Sequence, residues 1–246
     1  MKLVNLLAGI VLFLSACAPA PPANMVEIPA GWFTMGQDNA RRSNRPQHQI
    51  YLDAFWMDRT EVTNAAFDEF VAQTGFQPRR EWDDSLSKTH GDEPVMAILW
   101  NEAAAYCEWM GKRLPTEAEW EKAARSTDGR TYPWGDTWDS RKANTVEGAQ
   151  GGVLSVGSFA TGSSPYGVMD MCGNVAEWVN DYFAFDYYTR TPSHNPGGPD
   201  QILDHGLRGG SWADPAEFAT TFFRNSSHSV LPNPRVGFRC AQDFEN

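Results

Sequence analysis

A chain of 246 residues with 41% hydrophobic and 13% aromatic content is long enough to bury one sizeable core. Its formal charge of −11 argues against nucleic acid as a partner, because neutralising phosphates takes clustered Lys and Arg and no basic patch is present. The 16 Pro, 21 Gly and 10 Trp exclude a long-helix architecture and point to a single loop-rich α+β domain.

The N-terminus reads as a targeting signal: Lys2, then an apolar run over residues 3–14, too short for a mature transmembrane helix. It ends in Leu14-Ser15-Ala16-Cys17, which resembles the bacterial lipobox, where cleavage precedes an acylated Cys. An ordinary secretory signal followed by a chance Cys is the alternative. The expected organisation is a signal peptide over 1–16, a lipidated Cys17 with a stiff Pro-rich tether over 17–24, and a domain over 25–246. That makes the protein an exported lipoprotein of the cell envelope, on its periplasmic or surface face. Ala18 after the Cys favours the outer membrane in a cell with two membranes. Without Cys17, an odd number of cysteines remains (Cys107, Cys172 and Cys240), which in an oxidising compartment suggests one disulfide and one free thiol.

Residues 25–36 form short strands broken at Pro29 and Gly31, and residues 49–56 alternate, with Ile50, Leu52 and Ala54 on one side and Tyr51, Asp53 and Phe55 on the other. Thr63 is an N-cap for a helix through Gln73 that Gly75 stops, with Phe67, Phe70 and Val71 at core spacing. A second helix starts near Asn101, buries Ala104 and Cys107 and ends at Gly111. Thr116-Glu117-Ala118-Glu119 is a capping box opening a third helix to about Arg125. Beyond it the chain reads as turns, short strands and ordered loops.

Several phrases then resemble one family, the formylglycine-generating enzyme or sulfatase-modifying factor domain. They include Thr60-Glu61-Val62-Thr63-Asn64, Tyr106-Cys107-Glu108-Trp109, Gly111-Lys112-Arg113-Leu114-Pro115-Thr116-Glu117-Ala118-Glu119-Trp120-Glu121 and Gly173-Asn174-Val175-Ala176-Glu177-Trp178. The C-terminal pair is Leu207-Arg208-Gly209-Gly210-Ser211-Trp212 and Val236-Gly237-Phe238-Arg239-Cys240. The resemblance spans about residues 25–241 in family order. It implies a formylglycine-generating-enzyme-like variant of the C-type lectin fold, irregular and α+β. It also implies a disulfide between Cys107 and Cys240.

The resemblance further implies calcium on the side chains of Asp170 and Glu177 and the carbonyls of Gly173 and Val175, an oxygen set that suits a hard cation. Asn144 and Thr145 match part of a second calcium site, where Gly148 stands in place of a ligand Asp. The family's enzymes hold Cu(I) between two cysteines just after the GGS motif and oxidise a substrate cysteine to formylglycine with O₂. Here Asp214 and Ala219 stand at those positions, and neither replaces the soft thiolate Cu(I) requires, so copper is not expected.

Cys172 has no neighbouring His or cation to activate it and reads as a buried Cys. The five histidines show no metal-ligand spacing and read as surface residues. Trp134, Trp138, Trp178 and Trp212, with Tyr182, Phe183, Tyr187 and Tyr188, either line a pocket or form core. The polar groups left for a C-terminal pocket are Ser211, Asp214, Glu217 and Arg224, beside Trp212. The leading expectation is a non-oxidase member that binds a protein, peptide or small-molecule ligand through residues 213–234. One alternative is an enzyme modifying exported proteins or metabolites with other pocket residues. Another is a variable protein of a diversity-generating retroelement, with Asp214, Phe218, Thr221, Phe222, Asn225, Ser226 and His228 among the diversified positions.

Overall fold

The computed structural model describes residues 22–79, 88–200 and 203–244. The apolar run over 3–14 and the expected lipidation site Cys17 lie outside the described residues. Among the described residues no helix is long and apolar enough to cross a membrane.

Among the described residues nine strands form three sheets. β1 (Met25–Ile28), β4 (Phe55–Asp58) and β9 (Ala241–Asp243) pair antiparallel in the order β1-β4-β9. β2 (Gly31–Met35) and β3 (His48–Leu52) form an antiparallel pair. The third sheet runs β7-β6-β5-β8, from β5 (Ala176–Tyr182), β6 (Asp204–Arg208), β7 (Asn225–His228) and β8 (Val236–Gly237). Only its β5–β8 contact is parallel. The alternation expected through residues 49–56 breaks after Leu52, because the chain there leaves one sheet for another. Phe55, expected on the side opposite Ile50 and Leu52, is buried like them in β4, whose four residues are all covered.

The helix signals act as chemistry dictates. In α1 (Asn64–Thr74) the Thr63 hydroxyl accepts the Ala66 N–H, and Gly75 closes the helix at φ 70°. In α2 (Trp100–Trp109) the buried residues are Glu102, Ala103, Tyr106 and Cys107; Ala104, expected in the core, is half-buried. α3 (Glu117–Arg125) opens on the capping box, with Thr116 Oγ1 accepting from Glu119 N at 3.2 Å and Glu119 Oε2 from Thr116 N at 2.7 Å. Every residue of α3 is buried, including Glu117, Glu121, Lys122 and Arg125.

One apolar cluster joins the β1–β4 strands to α3 around Trp120, and another packs α1 and α2 against β5 and β8 around Trp178 and Phe238. The Cys107–Cys240 disulfide lies in the second, with its Cα atoms 5.7 Å apart. Trp178, Tyr187 and Tyr188 are core residues, whereas Trp134 and Trp138 pack round Tyr132 in a smaller cluster.

Candidate functional site

The floor beneath residues 213–234 is a buried ionic network. Arg224 grips Glu117 through Nε and Nη2 at 2.7 and 2.9 Å, lies over Tyr188 at 4.1 Å, and donates to the Ser43 carbonyl. Arg208 donates to Glu121 at 2.6 Å and to the Thr221 carbonyl at 2.7 Å; Arg125 reaches Glu121 at 2.8 Å. Burial alone would raise the Glu121 pKa, but Arg208 and Arg125 outweigh it and hold the carboxyl below its ordinary value. Arg224 was expected to offer its charge to a ligand. Instead it is 3% exposed and committed to Glu117, so it acts as a strut.

Above this floor Gly210, at φ 67°, lets the chain fold back on itself: a Cβ there would meet the Phe218 carbonyl at 2.7 Å. Ser211 is fully buried and donates its hydroxyl to Asp214 Oδ2 at 2.6 Å, while its N–H reaches the same oxygen at 2.9 Å. The carboxylate of Asp214 thus caps the turn. The cavity beside it is only about 30 Å³, room for roughly one water. It is lined by Ala176, Leu207, Arg208, Asp214 and the stacked rings of Phe218 and Phe223, with the Arg41 guanidinium 4.5 Å over Phe218. Of the five expected pocket residues only Asp214 lines it; Glu217 is exposed and Trp212 half-buried.

The Cu(I) positions do not fit copper. Asp214 is tied to Ser211, and Ala219 is a fully buried methyl packed with Tyr132, Ala143 and Cys172. Cys172 is the free cysteine among the described residues. Burial, reinforced by the charge of Glu147, pushes its pKa well above the ordinary thiol value, so it is a thiol at neutral pH.

Segment 213–234 also reaches a larger cleft of about 400 Å³, where Ser229 and Val230 face Phe76, Trp100, Tyr182 and His205. His205 corrects the expectation of surface histidines. It is 3% exposed, stacked on Trp100 with ring centroids 3.9 Å apart and tilted against Tyr182 at 4.2 Å, and burial lowers its pKa to about 4. Within the segment Thr221 is fully buried and donates its hydroxyl to the Arg130 carbonyl, so it is no surface position; Asn225 and His228 are exposed.

Around the expected calcium residues the geometry is uneven. Glu177 is fully buried, and both its oxygens are engaged: Oε1 by Arg239 Nη2 at 2.7 Å, Oε2 by Arg239 Nε at 2.7 Å and Trp120 Nε1 at 2.8 Å. Asp170 accepts the Gly157 N–H, and its charge helps raise the pKa of buried Glu61, after burial itself. Gly173 packs so closely on Asn144 that a Cβ would stand 2.1 Å from its carbonyl oxygen. At the second set, Asn144 Oδ1 is a buried oxygen with no hydrogen-bond partner, while the Thr145 hydroxyl donates to Glu147 at 2.6 Å. Among the described residues no three His, Cys, Asp or Glu side chains converge to hold a metal.

Known proteins resemble this chain in sequence and fold. The sulfatase-modifying factor enzyme 1-like domain matches residues 14–244. The chain belongs to that family. The formylglycine-generating enzyme of Bos taurus is 31% identical over 289 residues, covering 92% of this chain and 76% of the relative. The inactive C-alpha-formylglycine-generating enzyme 2 of the same species is 31% identical over 281 residues, covering 89% and 87%. Among solved structures, PvdO from Pseudomonas aeruginosa superposes with a TM-score of 0.76 at 26% identity, over 89% of this chain and 94% of that one. Treponema denticola variable protein 1 shares the fold, with a TM-score of 0.76 at 24% identity, over 89% of this chain and 95% of that one.

Proposed function

We propose that this sulfatase-modifying-factor-like domain is a non-oxidase member, tethered to the cell envelope through Cys17, that binds a peptide, protein or small-molecule ligand through residues 213–234. The observation that carries this reading is the replacement of the Cu(I) cysteines by Asp214, held by Ser211, and by the buried methyl of Ala219. Without two thiolates there is no soft site for Cu(I). The existence of an inactive relative of similar identity is in keeping with this.

The cavity at Asp214 is too small for anything beyond water, so the ligand contact falls to the cleft where Ser229 and Val230 meet Trp100 and Tyr182. Its walls mix aromatic faces with the amides of Gln77 and Asn101, a lining suited to an apolar group carrying hydrogen-bonding ends.

The test has two arms. With Cu(I), O₂ and a Cys-x-Pro-x-Arg peptide, mass spectrometry should find no formylglycine; catalytic formation would overturn the reading and favour the enzyme alternative. Ligand-detected NMR with a library of short peptides and aromatic fragments should give binders that Val230→Trp, which fills the cleft, abolishes. Binders indifferent to that substitution would move the site elsewhere.

A further inference from the structure

We propose that the cleft framed by Arg42, Arg45 and Phe185 is a second binding site, one that takes an acidic peptide segment: carboxylates on the arginines, an apolar side chain on the ring. The loop over residues 37–47 is pinned to the core at its middle. Ser43 and Asn44 are buried, and the Gln37 N–H donates to the Asn44 carbonyl at 2.9 Å. Arg224, itself locked to Glu117, donates to the Ser43 carbonyl at 2.7 Å. With Ser43 and Asn44 turned inward, Arg41, Arg42 and Arg45 are left exposed on a backbone that is held in place.

The guanidiniums of this loop meet rings, not acids. Arg41 lies 4.5 Å over Phe218 and 5.2 Å over Phe223, and Arg42 lies 6.0 Å over Phe185. Among the described residues none of the three donates a side-chain hydrogen bond or pairs with a carboxylate. The pattern is the reverse of the buried arginines, where Arg125, Arg208, Arg224 and Arg239 each meet a glutamate. A ring occupies the face of a guanidinium and leaves its N–H edge free, and that edge is the fork that grips a carboxylate.

The cleft beside them has a volume of about 400 to 600 Å³, the size of a small-ligand pocket. Arg42, Arg45, Pro46 and Phe185 line it together with Asp38 and Asp186. Both acids have donors of their own: Asp38 Oδ1 accepts the Gln47 N–H at 2.8 Å, and Asp186 Oδ1 accepts from Arg190 Nη2 at 3.4 Å. Each keeps its Oδ2 for an incoming N–H. This mixed lining selects among anions. A doubly charged phosphate would be repelled by the two acids, and three arginines are too few to hold nucleic acid on a chain of net charge −11. A peptide offers singly charged carboxylates to the arginines and backbone N–H groups to the acids. Its apolar side chain would cover Phe185, which is 52% exposed. The cleft shares no lining residue with the one at Ser229 and Val230, so it stands whether or not a ligand binds there.

The experiment uses the full chain in non-ionic detergent at low salt, with a blocked peptide, acetyl-Glu-Phe-Asp-Glu-amide, as probe. The side-chain Nε–H signals of arginine, followed by NMR, report the site directly. Saturable shifts are expected at Arg42 and Arg45, fading as salt is raised. The neutral counterpart, acetyl-Gln-Phe-Asn-Gln-amide, should bind at least about tenfold more weakly. The double variant Arg42→Gln/Arg45→Gln should lose at least about tenfold in affinity with its near-UV circular dichroism unchanged, because both residues are exposed. Arg235→Gln, which removes an exposed arginine of another loop, should bind as the unaltered chain does. Absence of saturable binding, equal affinity for the neutral peptide, or full affinity in the double variant would each overturn the proposal. So would inorganic phosphate binding as tightly as the peptide, which would reduce the cleft to a bare anion patch.

Discussion

Replacing Arg239 by Met tests how this fold is held together at its centre. The substitution keeps an unbranched chain of similar length but deletes every N–H that now serves Glu177 and the carbonyls of Asp58, Arg59 and Met169. Glu177 would remain fully buried with only the Trp120 indole N–H as donor. Breaking a buried pair from one side costs about 3–5 kcal/mol, since the surviving charge is uncompensated. Glu61 and Asp170 also lose the guanidinium whose charge lowers their pKa values, so the upper end of that range is expected. Against a total stability of about 5–15 kcal/mol, the loss is severe. The assay is equilibrium urea unfolding of residues 25–246 with the disulfide intact. Adding Glu177→Gln removes the stranded charge and still offers Trp120 an acceptor, so the double variant should recover about 2 kcal/mol relative to Arg239→Met. A loss below about 1 kcal/mol in the single variant, or no recovery in the double, would refute the view that Glu177 is held by Arg239.

His205 gives a pH prediction. Its folded pKa, about 4, lies below the ordinary value of 6.5, so between these values the unfolded chain takes up a proton that the folded chain refuses. Stability should fall as pH drops from 6.5 and the loss should be complete below 4; His205→Phe should remove that slope, measured by urea midpoints across the range. For Cys172, iodoacetamide should leave native residues 25–246 unmodified at pH 8 and add one label on unfolding in urea. Stoichiometric labelling of the native protein would contradict its burial.

What the sequence made legible follows from the range of the forces involved. Thr63, Gly75 and the Thr116–Glu119 box act within one helical turn, so their meaning could be read from neighbours alone, and the structure has each in the expected role. The alternation over residues 49–56 failed at Phe55 because the change of sheet after Leu52 is a tertiary event. α3 is the clearest case of what stays hidden. Glu117, Glu121 and Arg125 have the composition of a solvated face, yet they are buried because Arg208 and Arg224, 91 and 107 residues from Glu117, come to meet them. The same blindness applied to Arg224, which looked available to a ligand. A charged residue is a binding group only if its counter-charge is missing, and that is a property of the assembled fold. By that criterion Arg224 and Asp214 lose their claim: Arg224 is neutralised by Glu117, and Asp214 is held by the Ser211 hydroxyl and N–H. Glu61, by contrast, keeps a buried carboxylate oxygen, Oε2, that has nothing to accept from.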